Sequence, residues 1–299
     1  MKDWTRVLFD KLRPVLNALP LPDQFKPLNL ALEAQWQGYS RPLVHPTRDL
    51  VLNWSPKAGC TPTVLWFFHQ IGLLDAALAR DAFVHYYRME TYNRSPVYHA
   101  RCRALLRSGG KGFTLLRVTR DPDKRLVSSF RHAVNYPLLD ALAQEKLGVD
   151  LRQTGLSLRN LARLLEDEDI GGQGQINIHF RPQRHPVCTL EFDRVVTLNM
   201  DQTPFLPGLN AVEAGLDLPV TDFALLDGAL GDDTQRYAKD TPYQGKVPLE
   251  KHRFRKNRDG SFPKAEFLAL PLLQKLARRH YGGDYDAVDT ADSAGLLFR

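Results

Sequence analysis

Apolar residues along this chain fall into short runs and helical stripes, and the two alternate. Leu50, Val51 and Leu52 form a run long enough only for a buried strand. After a turn over Ser55–Thr61, Val64, Phe67, Phe68 and Ile71 recur at helical spacing, with Leu65 and Leu74 beside them. Phe113–Thr119 predicts a second buried strand, rich in β-branched and aromatic residues. Arg120-Asp121-Pro122 ends it. Pro122 suits the first turn of a helix, with Asp121 as its N-cap. Val127, Phe130 and Val134 give that helix its apolar stripe, with Leu126 at the edge, while Arg125, Ser128, Ser129 and His132 point elsewhere. Val195–Leu198 predicts a third strand.

The remaining pattern is less regular. A leading helix near Trp4–Leu19, interrupted at Pro14, gives way to a proline-rich arm. Such a helix can lie on a membrane surface as a peripheral contact, but packing on its own domain is the commoner fate. Phe83–Tyr87 reads as a strand and Val97–Leu106 as a helix, with tyrosines around His85 and His99. Gly109–Gly112 reads as a turn, because a strand and not a helix follows it. Leu158, Leu161 and Leu165 mark a helix N-capped by Ser157. Its acidic end, Glu166–Asp169, reads as exposed, and Gly171-Gly172 is a stop signal. Gln202–Leu216 and Phe223–Tyr237 are weakly helical. Leu268–His280 is a helix that Pro271 starts or kinks and Gly282-Gly283 closes, and residues 288–299 read as a frayed tail.

Repeated strand–turn–helix units predict an α/β fold with a central, mostly parallel sheet and helices on both faces. The 299 residues suit one large domain over 49–299, carrying a helical insertion at about 136–175 and preceded by the arm of 1–48. No apolar run approaches the ~18 residues of a membrane span, so no transmembrane segment is expected. Three cysteines, Cys60, Cys102 and Cys188, form no disulfide framework and no paired metal spacing. That usage favours a reducing compartment and a cytoplasmic location. A net charge of +6 suits an anionic ligand, and equally a weak nucleic-acid or membrane-surface contact. Zinc-knuckle and RNA-recognition signatures are missing, which counts against nucleic acid. Lys246–Arg258 is the densest basic stretch, and a flap over an anionic ligand fits the other motifs better than nucleic acid does.

The first strand–turn–helix has the makings of a phosphate cradle. Loop N–H groups and a helix N-terminus converge on one point. Gly59 allows close backbone approach, Lys57 supplies charge and Thr61 a hydroxyl. The loop is not a Walker A motif, since the lysine precedes a single glycine. Pro56-Lys57-Ala58-Gly59-Cys60-Thr61 instead resembles the 5′-phosphosulfate loop of sulfotransferases, which use 3′-phosphoadenosine 5′-phosphosulfate (PAPS) as sulfuryl donor. Leu116–His132 resembles the 3′-phosphate motif of the same family, a strand followed by R-D-P-x-x-R-x-x-S. His179-Phe180-Arg181-Pro182-Gln183, then Cys188 and Phe192-Asp193, is similar to a third region found in the carbohydrate-type branch. Tyr281, Asp284 and Tyr285 resemble its closing segment. One departure stands out: Asn199 occupies a strand end where the family usually carries a glutamate.

The resemblance implies a P-loop-NTPase-like sulfotransferase fold and sulfuryl transfer from PAPS to a hydroxyl of a carbohydrate or small metabolite, releasing PAP. Lys57, Ala58, Gly59, Cys60, Thr61 and Thr63 would hold the 5′ end, and Arg120 and Ser128 the 3′-phosphate. Lys57 would also neutralise charge during transfer, and no metal is required. The base that takes the acceptor's proton is a histidine in this reading: His99 and His179 stand level, His85 follows, and His132 reads as support for its helix or the phosphate. Two other classes compete. A nucleotide kinase or NTPase on a related fold predicts a Walker lysine, which is missing. A non-catalytic polyanion- or nucleic-acid-binding module would use Lys246–Arg258.

Overall fold

Leu50, Val51, Leu52 and Asn53 are buried in succession. Side chains of a strand alternate between faces, so a strand buried at every position is covered on both. The computed structural model describes residues 36, 38–81, 83–171, 176–224, 226, 239–256, 261–289 and 296–298. The expected leading helix lies outside these residues, as does most of the helix expected at Phe223–Tyr237.

In chain order come β1 (Leu43–Val44), β2 (Leu50–Asn53), α1 (Cys60–Gln70), α2 (Leu74–Arg80), α3 (Val84–Glu90) and α4 (Pro96–Ser108). Then follow β3 (Thr114–Thr119), α5 (Pro122–Asn135), α6 (Asp140–Leu147), α7 (Leu151–Thr154) and α8 (Leu158–Leu165). The series closes with β4 (Arg194–Asn199), α9 (Phe205–Gly215), α10 (Lys264–Leu268), α11 (Pro271–Asp289) and β5 (Leu296–Phe298). The strands form one mixed sheet in the order β1-β2-β3-β4-β5. β2, β3 and β4 run parallel, while β1 and β5 pair antiparallel at the edges. The chain is thus an α/β protein, with its parallel pairing confined to the centre of the sheet.

Two hydrophobic clusters fill the interior. One joins the sheet to α1, α4 and α9. Its helices are fastened by the fully buried Glu213 of α9, which accepts hydrogen bonds from Trp66 Nε1 (2.7 Å), Gln70 Nε2 (2.8 Å) and Thr221 N (3.0 Å). A carboxylate with this many donors meets the cost of leaving water. The second cluster gathers α5, α6, α8, α10 and α11 around Phe130, which touches Phe254, Phe262 and Phe267. The segment 136–171 therefore packs together with the C-terminal helices.

The predicted caps are in place. The side chains of Asp121 and Ser157 accept from Lys124 N and Asn160 N, and Gly109 ends α4 in the left-handed conformation. Three expectations are corrected. Phe83–Tyr87 is not a strand: Asp81 Oδ1 accepts from Phe83 N at 2.7 Å, and α3 starts there with Val84, His85 and Arg88 buried at helical spacing. The aromatic run fits either period, and packing of one helical face decided. Gly282-Gly283 does not close α11, which bends at Tyr281 (φ −126°, ψ 24°) and continues to Asp289. Tyr281 is buried there and donates to Phe180 O at 2.9 Å. Finally, 288–299 is not simply a tail, because Leu296–Phe298 pairs with Val196–Leu198.

The basic stretch at 246–256 is pinned and not free. Leu156 and Phe254 exchange two backbone hydrogen bonds of 2.9 Å, and Arg159 meets Glu250 at 2.5 Å. Phe130→Ala removes the ring around which this cluster assembles. We expect a loss of about 3–5 kcal/mol in urea unfolding, and faster proteolysis at Lys251–Arg255 read by mass spectrometry. Unchanged stability would show that the cluster is not a core.

Candidate functional site

β2 and β3 pair in parallel from Leu50↔Thr114 to Asn53↔Arg117, so the loops that follow them open on one edge of the sheet. Ligands of open α/β sheets bind at such carboxyl edges. The loop after β2 turns through two left-handed residues, Lys57 (φ 69°) and Gly59 (φ 64°). Gly59 adopts this freely. Lys57 does so against its Cβ, and backbone outliers of this kind gather at ligand-binding turns. Thr63 N (3.1 Å) and Oγ1 (2.7 Å) both donate to Gly59 O, which fixes the start of α1. The N–H groups of Gly59, Cys60 and Thr61 have no hydrogen-bond acceptor among the described residues. Together with the dipole of α1 they form a nest for an anion.

The loop after β3 is tied to the first. Arg120 Nη1 donates to Lys57 O at 2.8 Å. Its backbone is clamped by one amide: Arg120 N donates to Gln183 Oε1 (2.9 Å) and Gln183 Nε2 donates to Arg120 O (2.7 Å). Gln183 is held in turn by Asp284, which accepts from Gln183 N (2.8 Å) and Arg184 N (3.0 Å). Arg120 Nε is buried and has no protein partner.

Between these loops lies a cavity of about 510 Å³. One face of α5 lines it with Lys124, Ser128, Arg131 and His132, and α3 lines it with His85, Arg88 and Met89. Lys57, Gly59, Cys60, Thr61, Arg120, His179 and Lys264 complete its polar wall. Among the described residues, six cations line the cavity, namely Lys57, Arg88, Arg120, Lys124, Arg131 and Lys264, and no carboxylate does. Burial lowers the pKa of Lys57 and of Arg120 from their ordinary values. A lining of this kind raises the local positive potential and selects an anion.

The histidines separate by geometry. His99 lies on α4, beside Tyr98, and does not line the cavity. His85 lines it with both nitrogens engaged: Nδ1 accepts from Arg88 Nε (3.3 Å), and Nε2 faces Thr61 Oγ1 (3.4 Å). The charged Arg88 donor fixes the tautomer with hydrogen on Nε2. His179 sits on a 3-10 turn, Ile178–Phe180, with Nδ1 2.7 Å from Asn177 Oδ1. An amide oxygen only accepts, so Nδ1 carries the hydrogen and Nε2 keeps a bare lone pair. The turn itself is anchored by α5, as Ser129 Oγ donates to His179 O (2.7 Å) and the buried Arg125 donates to His179 O and Arg181 O. His132 stacks on His179 with ring centroids 4.5 Å apart. Burial, then neighbouring cations, lowers His85 and His132 to about 3 and His179 to about 4.

Of the residues singled out in the sequence, Lys57, Gly59, Cys60, Thr61, Arg120, Ser128, His85 and His179 meet at this cavity. Ala58 and Thr63 are buried behind it and shape the loop. Asn199 is fully buried, and its Oδ1 accepts from Asp201 N at 3.0 Å. Asp201 then supplies a carboxylate two residues past the strand, accepting from Asp121 N (2.6 Å) and Lys124 Nζ (2.9 Å). Sequence reasoning missed Lys124 and Arg131, although with Ser128 and His132 they share a helical face. It also missed Arg88, Asn177 and Lys264, whose roles arise only from tertiary contact. The chain matches no protein-family model, no curated protein and no solved structure.

Burial of neutral imidazoles has a pH consequence. His85, His132, His179 and His185 have folded pKa values of about 3, 3, 4 and 3, against about 6.5 unfolded. Between these limits the unfolded chain binds more protons, so stability rises with pH. Stability should be full above about pH 6.5 and fall as the pH drops towards 4, read as urea midpoints at pH 7, 6 and 5. A flat profile over that range would contradict the burial of these rings in neutral form.

Proposed function

We propose that the chain is a PAPS-dependent sulfotransferase on a P-loop-NTPase-like fold, acting on a hydroxyl of a carbohydrate or small metabolite. The observation that carries this reading is the pairing of two strand–turn–helix units on adjacent parallel strands around one cation-lined cavity, to which the described residues bring no carboxylate. The sequences of those two loops resemble the two PAPS-binding motifs of the family. The residues present also fit such a ligand. Unpartnered N–H groups wait at the start of α1, and the orphaned Arg120 Nε and the Ser128 hydroxyl stand at the second loop.

PAPS brings an activated sulfuryl group, whose transfer forms an acceptor oxygen–sulfur bond and breaks the sulfur–oxygen bond to the 5′-phosphate, which leaves with the electron pair as PAP. Lys57 and the Gly59–Thr61 amides stabilise the negative charge at the first loop. Arg120 and Ser128 bind and orient the far end, so most of the catalytic effect is positioning and charge neutralisation. His179 Nε2 takes the acceptor's proton. His85, with both nitrogens committed, positions Thr61 instead. The pKa of His179 is lowered in the bare cavity by burial and by Lys57 and Arg125. A polyanionic ligand offsets those cations and raises the basicity of Nε2 when proton transfer is needed.

Two measurements test this. Wild-type protein should bind PAP more tightly than adenosine 5′-phosphate. Arg120→Ala should lose about 1.5–3 kcal/mol of that preference in calorimetric titration, the cost of one charge-assisted contact. A mutant that discriminates as strongly as wild type would remove Arg120 from the 3′-phosphate. His179→Ala should lower kcat by about 10²–10⁴ with PAP affinity intact, while His99→Ala keeps near-wild-type turnover. The reverse pattern would move the base to α4.

A further inference from the structure

Arg88 is one of four cavity cations, with Lys124, Arg131 and Lys264, to which the sulfuryl-transfer reading gives no ligand contact. It lies on α3 and is 6% exposed. Its Nε donates to His85 Nδ1 at 3.3 Å, and its guanidinium carbon sits 4.9 Å from the centroid of the Trp54 ring. Those contacts occupy one N–H and one face of the group. The N–H donors on Nη1 and Nη2 find no acceptor among the described residues, and no carboxylate pairs with it. Arg125 shows what a structural arginine at similar depth does in this protein, since its terminal nitrogens donate to the carbonyls of His179 and Arg181. In Arg88, Nη1 and Nη2 are not fully buried: they open on the cavity, where a bound anion would take the place of water on them. Burial lowers the pKa of Arg88 only to about 10, so it remains charged at neutral pH.

The surroundings of Arg88 differ from those of the phosphate loops. Trp54, Phe83 and Met89 also line the cavity, and Trp54 and Phe83 both pack on His85, the partner of Arg88. Phe83 and Met89 are 46% and 38% exposed, and Tyr86 beside Phe83 is 51% exposed. Large apolar side chains left open next to a buried cation suit a ligand with a flat apolar face and one negative group.

We propose that Arg88 and the Trp54–Phe83–Met89 wall form an acceptor subsite for a ring-bearing carboxylate that also carries the hydroxyl to be sulfated. This deepens the sulfotransferase reading and rests on it. A planar guanidinium fork pairs with a carboxylate through two parallel hydrogen bonds, while the ring of the acceptor covers the wall. Two sources share this chemistry, a sugar acid and a hydroxyaryl acid.

The test uses PAP-saturated protein and two matched pairs, glucuronate against glucuronamide and 4-hydroxybenzoate against 4-hydroxybenzamide, titrated calorimetrically. In at least one pair the acid should bind about tenfold or more tightly than its neutral amide, the worth of a charge-assisted contact. The pair that shows the preference identifies the source. Arg88→Gln, titrated at PAP concentrations that saturate the variant, should abolish the preference. Arg88→Lys keeps the charge on Trp54 and should retain part of it, which covers the case where the glutamine variant fails to fold. No acid preference in either pair, or an undiminished preference in either PAP-saturated variant, overturns the subsite while leaving the sulfotransferase reading in place. Failure of wild-type protein to bind PAP overturns both.

Discussion

Parallel pairing of β2 with β3 is the constraint from which the site follows. Had the two strands run antiparallel, their following loops would lie at opposite ends of the sheet. Parallel register brings Lys57 and Arg120 within one hydrogen bond of each other, although much of the chain separates them. Burial of β2 on both faces holds the strand inside the sheet, and its pairing with β3 fixes the edge at which each loop leaves. The hydrophobic effect thus sets the placement of cations that are themselves unfavourable to bury.

Those cations persist because the polypeptide supplies oxygens in place of water. The two terminal nitrogens of Arg125 donate to carbonyls of the turn that carries His179, and Tyr281 lies 4.9 Å beneath the guanidinium. Asp284 receives the two N–H groups at Gln183 and Arg184, and Gln183 grips the backbone of Arg120. A chain of contacts therefore runs from α11 through the 3-10 turn to the carboxyl end of β3. Each link fills a donor or acceptor that burial would otherwise leave empty. The lining of the cavity differs from this supporting layer, because there the donors outnumber the acceptors.

What the sequence made legible was local. The Asp121-Pro122 start of α5, the Ser157 cap and the stripe of Val127 and Phe130 need only neighbouring residues to be read. The loop motifs were legible because glycine, lysine and proline constrain a turn wherever it occurs. Phe83–Tyr87 was misread because alternating and helical patterns coincide over so short an aromatic run, and contact with α1 and Trp54 chose between them. The glycine pair at 282–283 signalled a stop, yet Asp284 and Tyr285 gain partners only if the helix continues. The histidines were beyond local reading altogether. Nothing near His99 in sequence shows that it faces away from the cavity. Nothing near His85 shows that Arg88 and Thr61 claim both its nitrogens.

The bond from Arg120 Nη1 to Lys57 O has a mechanical consequence. It ties the side chain of the second loop to the carbonyl of a first-loop residue at positive φ. The two loops are therefore not separate springs. Any load that draws the guanidinium outward pulls on the carbonyl of a residue already held at positive φ, and stiffening of the first loop in turn fixes the reach of the arginine. Molecules engaging both loops share a single cost of ordering, whereas two fragments would each incur it. A ligand that touches both loops therefore meets one coupled element, and whatever orders one loop also orders the other.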